Sequence, residues 1–179
     1  GIPVAEAARR LDEMDRLGLI HSSQAAGKPA HYSASQFAVG FWEGQVNRLT
    51  PELVRDFEEY LDETFNFELW RKMPQLRTIP IGESVSAQTE IMAYERAEEI
   101  VRSHHAFAVA NCICRQELRV AGQGCDKPEE TCLSFDSVAE HYARVGRGRA
   151  ITQAEALALL QQAERAGLVL QPTNDKDPL

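Results

Sequence analysis

Residues 106–115 read Ala-Phe-Ala-Val-Ala-Asn-Cys-Ile-Cys-Arg, and this segment decides the fold prediction. It opens with an apolar run of the length of one strand, and the residues before it, 94–104, repeat apolar positions with helical spacing. We predict a helix over 94–104 that leads into a strand over 106–110, and we consider an extension of this strand to residue 115. Because side chains alternate along a strand, Cys112 and Cys114 would share one face and Ile113 would lie on the other.

The cysteines of the chain all fall in this region, with the spacing Cys-x-Cys, ten residues, Cys, six residues, Cys. They are Cys112, Cys114, Cys125 and Cys132. Thiolates crowded in this way are typical ligands of tetrahedral zinc or of an iron-sulfur cluster, and they are poor ligands for magnesium or calcium. We therefore predict that these residues form one metal-binding unit.

The spacing favours one metal without excluding the other. Structural zinc sites usually contain two Cys-x-x-Cys pairs, whereas this chain has one Cys-x-Cys pair and two single cysteines. This difference favours a [4Fe-4S] cluster, with zinc as the alternative and free or disulfide-linked cysteines as a further one. The cysteine run of a ferredoxin is absent from the sequence.

The residues between the cysteines are typical of a loop that returns to the strand end. Gly122 and Gly124 provide backbone freedom before Cys125, and we expect Cys132 to lie just before a helix. Basic side chains accompany the cysteines, namely Arg115, Arg119 and Lys127. They would either offset the thiolate charge and raise the potential of a cluster, or be ordinary surface charge.

The first fifty residues resemble a winged helix in the order of their predicted elements. Apolar positions over 4–17 have helical spacing, and Gly18 is a typical helix end. Two short extended runs follow, separated by a turn at 26–29, and predict a β-hairpin. In DNA-binding winged helices such a helix enters the major groove. Acidic residues on the same helix would repel a duplex, so a packing or partner surface is the favoured interpretation.

Residues 51–179 are predicted to form the second part of an α+β protein. Thr50 and Pro51 begin a helix, and the helix over 138–145 should end at Gly146. The sequence from Thr152 to Glu155 is a capping box that opens a helix to about residue 166. Extended segments are expected at 77–81, 84–92 and 168–170.

Three stretches carry a resemblance to a known family: Asn111-Cys112-Ile113-Cys114-Arg115, Gly124-Cys125-Asp126-Lys127-Pro128 and Glu130-Thr131-Cys132-Leu133-Ser134-Phe135. With residues 151–156 and 166–169, they are similar to the N-terminal region of bacterial and archaeal 4Fe-4S ferredoxin-type iron-sulfur binding proteins. The resemblance implies a winged-helix-like start, ligand status for the four cysteines and a role in electron transfer. It also implies a redox partner protein or a C-terminal ferredoxin module, whose cysteines this sequence does not contain, so an accessory domain is expected.

Other sequence features limit the classes of function. The net charge of -8 and the pI of about 5.2 disfavour nucleic-acid binding, because that affinity depends on Lys and Arg. Neither an apolar run long enough to cross a bilayer nor a secretory signal is found, so we expect a cytoplasmic protein. The start at Gly1-Ile2-Pro3 leads straight into a helical pattern, which we interpret as the start of an excised fragment.

The histidines next to the cysteine segment offer one further set of ligands. His104 or His105 could replace a cysteine at zinc or at some clusters, although a polar helix end is the simpler interpretation. The sequence contains neither a recognisable nucleophile motif nor a nucleotide-binding glycine motif. It therefore favours an electron-transfer module of an oxidoreductase system over a stand-alone enzyme.

Overall fold

The computed structural model describes residues 1–24, 27–64, 72, 76, 79 and 97–173. These residues form a mixed helix and sheet fold, as the sequence predicts. The helices are α1 (Val4–Arg16), α2 (Pro51–Glu63), α3 (Ala97–Ser103), α4 (Ile113–Val120), α5 (Asp136–Arg144) and α6 (Gln153–Arg165). The strands are β1 (Ile20–Ser23), β2 (His31–Ala34), β3 (Phe107–Asn111), β4 (Glu130–Phe135) and β5 (Gly148–Ile151). A π-helical turn, Phe37–Phe41, and a 3-10 turn, Glu43–Gln45, precede α2.

Strand β3 is the centre of an antiparallel sheet with the order β4-β3-β5. Its apolar residues, 107–110, are all buried. Helices α3 and α6 pack on Phe107 through Val101 and Leu160, and α5 contacts all three strands. The sheet therefore holds the start of the cysteine segment rigidly.

The N-terminal part has the predicted helix and hairpin. Strands β1 and β2 pair antiparallel, from Ile20 opposite Ala34 to Ser23 opposite His31. Helix α1 ends before Gly18, which has a φ of 72° and packs against Gly44. A Cβ on Gly18 would lie 2.4 Å from the Gly44 carbonyl oxygen, so this position requires glycine for both its conformation and its close contact.

A second apolar cluster connects the N-terminal part to helix α4. Trp42, Val54 and Ile113 are buried together in it, and the Trp42 ring stacks on Phe57 with centroids 3.7 Å apart. The Trp42 indole donates a hydrogen bond to Glu117 Oε2 at 2.9 Å. This packing fixes the position of α4, the helix that follows Cys112.

The predicted helix boundaries are largely confirmed, because local capping sets them. The Thr50 hydroxyl accepts from the Leu53 amide, and Thr152 and Glu155 form the reciprocal capping box. Helix α6 ends at Arg165, shortly before Gly167, whose φ is 69°.

The predicted strand over 106–110 is confirmed, but its considered extension to 115 is wrong. Strand β3 ends at Asn111, Cys112 is the N-cap residue, and Ile113 begins helix α4. The physical reason is the second apolar cluster: Ile113 enters it from a helix face beside residues 42 and 54. A local pattern of alternation cannot reveal that distant partner.

Three further expectations are corrected or extended. Cys132 lies within β4, and the next helix begins only at Asp136. The expected strand at 168–170 is reduced to an isolated bridge between Leu170 and Ile79. Strand β5 was not predicted, since its sequence, Gly-Arg-Ala-Ile, has no strong strand pattern. The extended segment expected at 84–92 and the start of the helix expected at 94 lie outside the described residues, as does 77–81 apart from Ile79.

Candidate thiol site

Cys112 occupies the junction between β3 and α4. Its amide donates to the Glu129 carbonyl at 2.8 Å, and its own carbonyl accepts from the amides of Arg115 and Gln116. The residue is half-buried, with the extended backbone of an N-cap. The unpaired amides at the start of a helix favour negative charge nearby, so this position suits a thiolate.

The structure brings Cys114 and Cys132 to Cys112. Cys114 lies in the first turn of α4, and Cys132 lies on β4 opposite Ala110 of β3. Cys112 follows Ala110 by two residues, and β3 and β4 are neighbouring strands, so Cys112 also lies near Cys132. The Cys112 thiol interacts with the thiols of both residues. Three of the predicted ligands therefore meet, two from the strand-to-helix junction and one from the adjacent strand.

The shared protons divide the three thiols into two kinds. The pKa of Cys112 is lowered, because the Cys114 and Cys132 thiols donate to it and the Arg115 amide and charge favour its thiolate. Cys114 and Cys132 are both exposed, and their pKa values are raised, chiefly because each thiol donates its hydrogen bond to Cys112. One thiolate with two thiol donors is the arrangement that results.

Cys125 lies on the exposed loop between α4 and β4. The interactions that shift the pKa values of Cys112, Cys114 and Cys132 do not include it. Arg115 fixes the far end of this loop, since its Nη1 donates to the Pro128 carbonyl at 2.6 Å and to the Thr131 hydroxyl at 2.7 Å. Arg115 directly follows Cys114, so its hydrogen bonds connect the loop that carries Cys125 to the three interacting thiols.

The surroundings of the thiols contain acidic side chains that sequence reasoning missed. Glu43 and Glu117 both contribute negative charge at Cys114, and burial raises the pKa of each carboxyl group. Burial also raises the pKa of Tyr142 to about 12, with Glu43 and Cys132 adding to the effect. In the sequence, Trp42 beside Glu43 indicates a buried segment, but it does not indicate which residues surround that segment.

His104, one of the two histidines predicted as alternative ligands, pairs with the carboxylate of Asp136. His104 Nδ1 lies 2.7 Å from Asp136 Oδ2, and its ring stacks on Phe135. Asp136 also accepts from the amides of His105 and Ala106, and its pKa is lowered to about 2, chiefly by His104. The pair therefore closes the connection between α3 and β3, and these contacts involve none of the cysteines.

The described residues contain neither a preformed metal-binding group nor a membrane-spanning helix. Within residues 1–24, 27–64, 72, 76, 79 and 97–173, no group of three or more His, Cys, Asp or Glu side chains is arranged so that it could hold a metal ion. The donor set itself is soft sulfur, which fits zinc and iron-sulfur chemistry, so the predicted metal site stays a prediction. Among the same residues, no helix combines the length and apolar character needed to cross a membrane.

Comparison with known proteins found no matching family model, no matching curated protein and no matching solved structure.

Proposed function

We propose that the chain is an iron-sulfur electron-transfer module, or the accessory domain of one, in which Cys112, Cys114, Cys125 and Cys132 bind a [4Fe-4S] cluster. The observation that supports the proposal is the meeting of three thiols at the start of α4, beside the loop that carries the fourth. A bound cluster would supply one-electron transfer to a partner oxidoreductase or ferredoxin module. We place this activity in the cytoplasm, where thiols stay reduced.

The hydrogen bonds among the thiols determine which of them must lose a proton when metal binds. Cys112 already favours its thiolate form, whereas Cys114 and Cys132 hold protons that binding must release. The amides at the start of α4 would stabilise the negative charge that then accumulates. Affinity for metal should therefore rise with pH.

The loop between α4 and β4 would complete the ligand set. Gly122 has a φ of 76°, a conformation that glycine adopts without strain, and it allows the chain to turn back after α4. Arg115 then anchors the loop at Pro128 and Thr131. Cys125 lies between these two points, and binding of a cluster by all four cysteines would require its exposed side chain to reach the other sulfurs.

A zinc-stabilised interaction domain is the second candidate, and the acidic surroundings favour it. Glu43 and Glu117 add negative charge near Cys114, and a cluster that accepts an electron gains further negative charge in the same place. These carboxylates would lower the reduction potential of a cluster, whereas redox-inactive zinc meets no such opposition.

A third candidate, a metal- or redox-sensing winged-helix protein that binds DNA, has less support. Two of the arginines on α1 that could contact phosphates, Arg9 and Arg10, are both hydrogen-bonded to Glu6 at 2.7–3.1 Å. Binding to DNA would have to break these pairs in a chain of net charge -8.

The deciding experiment measures iron, acid-labile sulfide and zinc in protein purified without oxygen, together with its absorption spectrum. The proposal predicts iron and sulfide at about four per chain, and loss of both in Cys114→Ala. Ser134→Ala, a change two residues from Cys132 on β4, is the matched control and should keep full metal content. Stoichiometric zinc without sulfide would establish the second candidate instead, and absence of both metals would refute both metal-binding proposals for this chain.

A further inference from the structure

A buried polar cluster joins the N-terminal hairpin to helix α5, far from the cysteines in sequence. Asp15 of α1, Ser22 of β1 and His141 of α5 are 3%, 4% and 2% exposed. The Ser22 hydroxyl donates to Asp15 Oδ2 at 2.5 Å, and Arg144 Nη2 donates to Ser22 Oγ at 2.8 Å. We name Asp15, Ser22, His141, Arg144 and Arg147 the latch.

Both ring nitrogens of His141 lie against arginine donors. Arg144 Nη2 is 2.9 Å from Nδ1, and Arg147 Nη1 is 3.1 Å from Nε2. A neutral imidazole has one nitrogen that accepts a hydrogen bond, so in either tautomer it can accept from one of the two guanidinium groups. An imidazolium has no acceptor, and it would place a third positive charge between the two arginines.

We propose that the latch is acid-sensitive, so that protonation of His141 releases the β1–β2 hairpin from helix α5. The His21 ring lies against His141, with centroids 4.5 Å apart, so protonation of either ring opposes protonation of the other. The same two residues line a cleft of about 280 Å³ between the hairpin and α5, which opening of the latch would expose.

Among the other charged groups around His141, some raise its pKa and others lower it. Asp15 Oδ1 is 3.4 Å from His141 Nε2 and favours the imidazolium, but Asp15 already serves Ser22, Arg144 and Arg147. Burial is the larger influence and lowers the pKa of His141 to about 4, and burial also lowers the pKa of His21. The groups that face the latch are Asp15 from α1, His21 from β1, Glu140 and Arg144 from α5, Arg147 from the turn that follows, and Arg48 from the segment before α2.

Hydrogen exchange followed by mass spectrometry tests this inference on the full chain at about pH 7 and about pH 5. After correction for intrinsic rates, the protection of the β1 and β2 amides should fall on the order of 20-fold at the lower pH. Opening of the latch returns the pKa of His141 from about 4 to its ordinary value, so protonation at the lower pH favours the open state. At both pH values the amides of β1 and β2 should be less protected than those of β3 and β4, since the proposed opening is local. A hairpin as well protected as the sheet at about pH 5, or no loss of protection in β1 and β2, would overturn the proposal.

Two variants assign the effect to the latch. His141→Gln cannot take up a proton and should remove the pH dependence of exchange in the hairpin. His31→Gln changes an exposed histidine on β2 and should leave that dependence intact. If His141→Gln does not fold, an NMR titration of the His141 ring in the unmodified protein decides instead. A pKa clearly below 6.5 supports the proposal, and an ordinary value refutes it.

Discussion

Replacement of Asp15 by Asn should strongly destabilise the protein, although the two side chains have nearly the same shape. Asp15 is 3% exposed and lies 3.8 Å from Arg147 and 3.9 Å from Arg144, measured from carboxylate oxygen to guanidinium nitrogen. The Arg147 side chain is only 9% exposed, and its Nε has no hydrogen-bond partner among the residues that the structure describes. The Asn variant would keep the packing but leave two guanidinium groups without their counter-charge.

The size of the effect follows from these distances. At an effective dielectric constant of about 20, the pair with Arg147 is worth about 4 kcal/mol, and the cost of burying the charges offsets part of that energy. The pair with Arg144 contributes less, because that side chain is 43% exposed and solvent screens its charge. Loss of one partner from a buried ion pair typically costs about 3–5 kcal/mol, since the remaining charge stays buried. We therefore expect the free energy of unfolding to fall by about 3 kcal/mol.

Urea denaturation monitored by circular dichroism measures this loss as a shift of the midpoint at unchanged slope. Asp12→Asn is the matched control, because Asp12 also lies on α1 and accepts a hydroxyl hydrogen, from Tyr32 at 2.5 Å, but on the exposed surface. The control should lose less than about 1 kcal/mol. If Asp15→Asn loses no more than the control, the latch contributes little to stability and our reasoning about its charges is wrong.

Three other predictions follow from the same structure. The unfolded chain binds a proton at His141 that the folded chain does not, so the free energy of unfolding should fall as the pH drops from about 6.5 to about 4. The fall should be on the order of 3 kcal/mol, with no further loss at lower pH. Urea midpoints that stay constant over this range would contradict the assignment to His141. Gly18→Ala should destabilise by at least about 2 kcal/mol, since its Cβ would meet the Gly44 carbonyl in a backbone of positive φ, and an unchanged melting temperature would refute this. Arg115→Gln should free the loop that carries Cys125, seen as faster alkylation of that thiol in mass spectrometry, whereas an unchanged rate would mean that the loop has another anchor.

The elements that the sequence predicted well are those with local causes. A hydroxyl at Thr50 or Thr152 caps the helix that follows it, and Gly18 ends a helix through its own backbone conformation. The apolar run from 106 to 110 predicted a buried strand because few other structures bury such a short run. Each of these signals lies within a few residues of the feature it determines.

The predictions that failed depend on partners distant in sequence. Residues 112–115 alternate like a strand, but Ile113 packs with Trp42 and Val54, and this contact favours a helix. The fourfold clustering of cysteines was readable from spacing, whereas only the structure showed that Cys112, Cys114 and Cys132 meet while Cys125 stays on the loop.

By itself, the sequence predicted most of the element types and helix boundaries and identified the cysteines as candidate ligands, since capping, periodicity and short spacing act along the chain. Only the tertiary structure decided which thiols share protons and which acidic groups surround them. It also joined Asp15 to His141 across most of the chain. The reason is that strand pairing and burial bring together residues that no local pattern connects, and burial then makes their charges depend on one another.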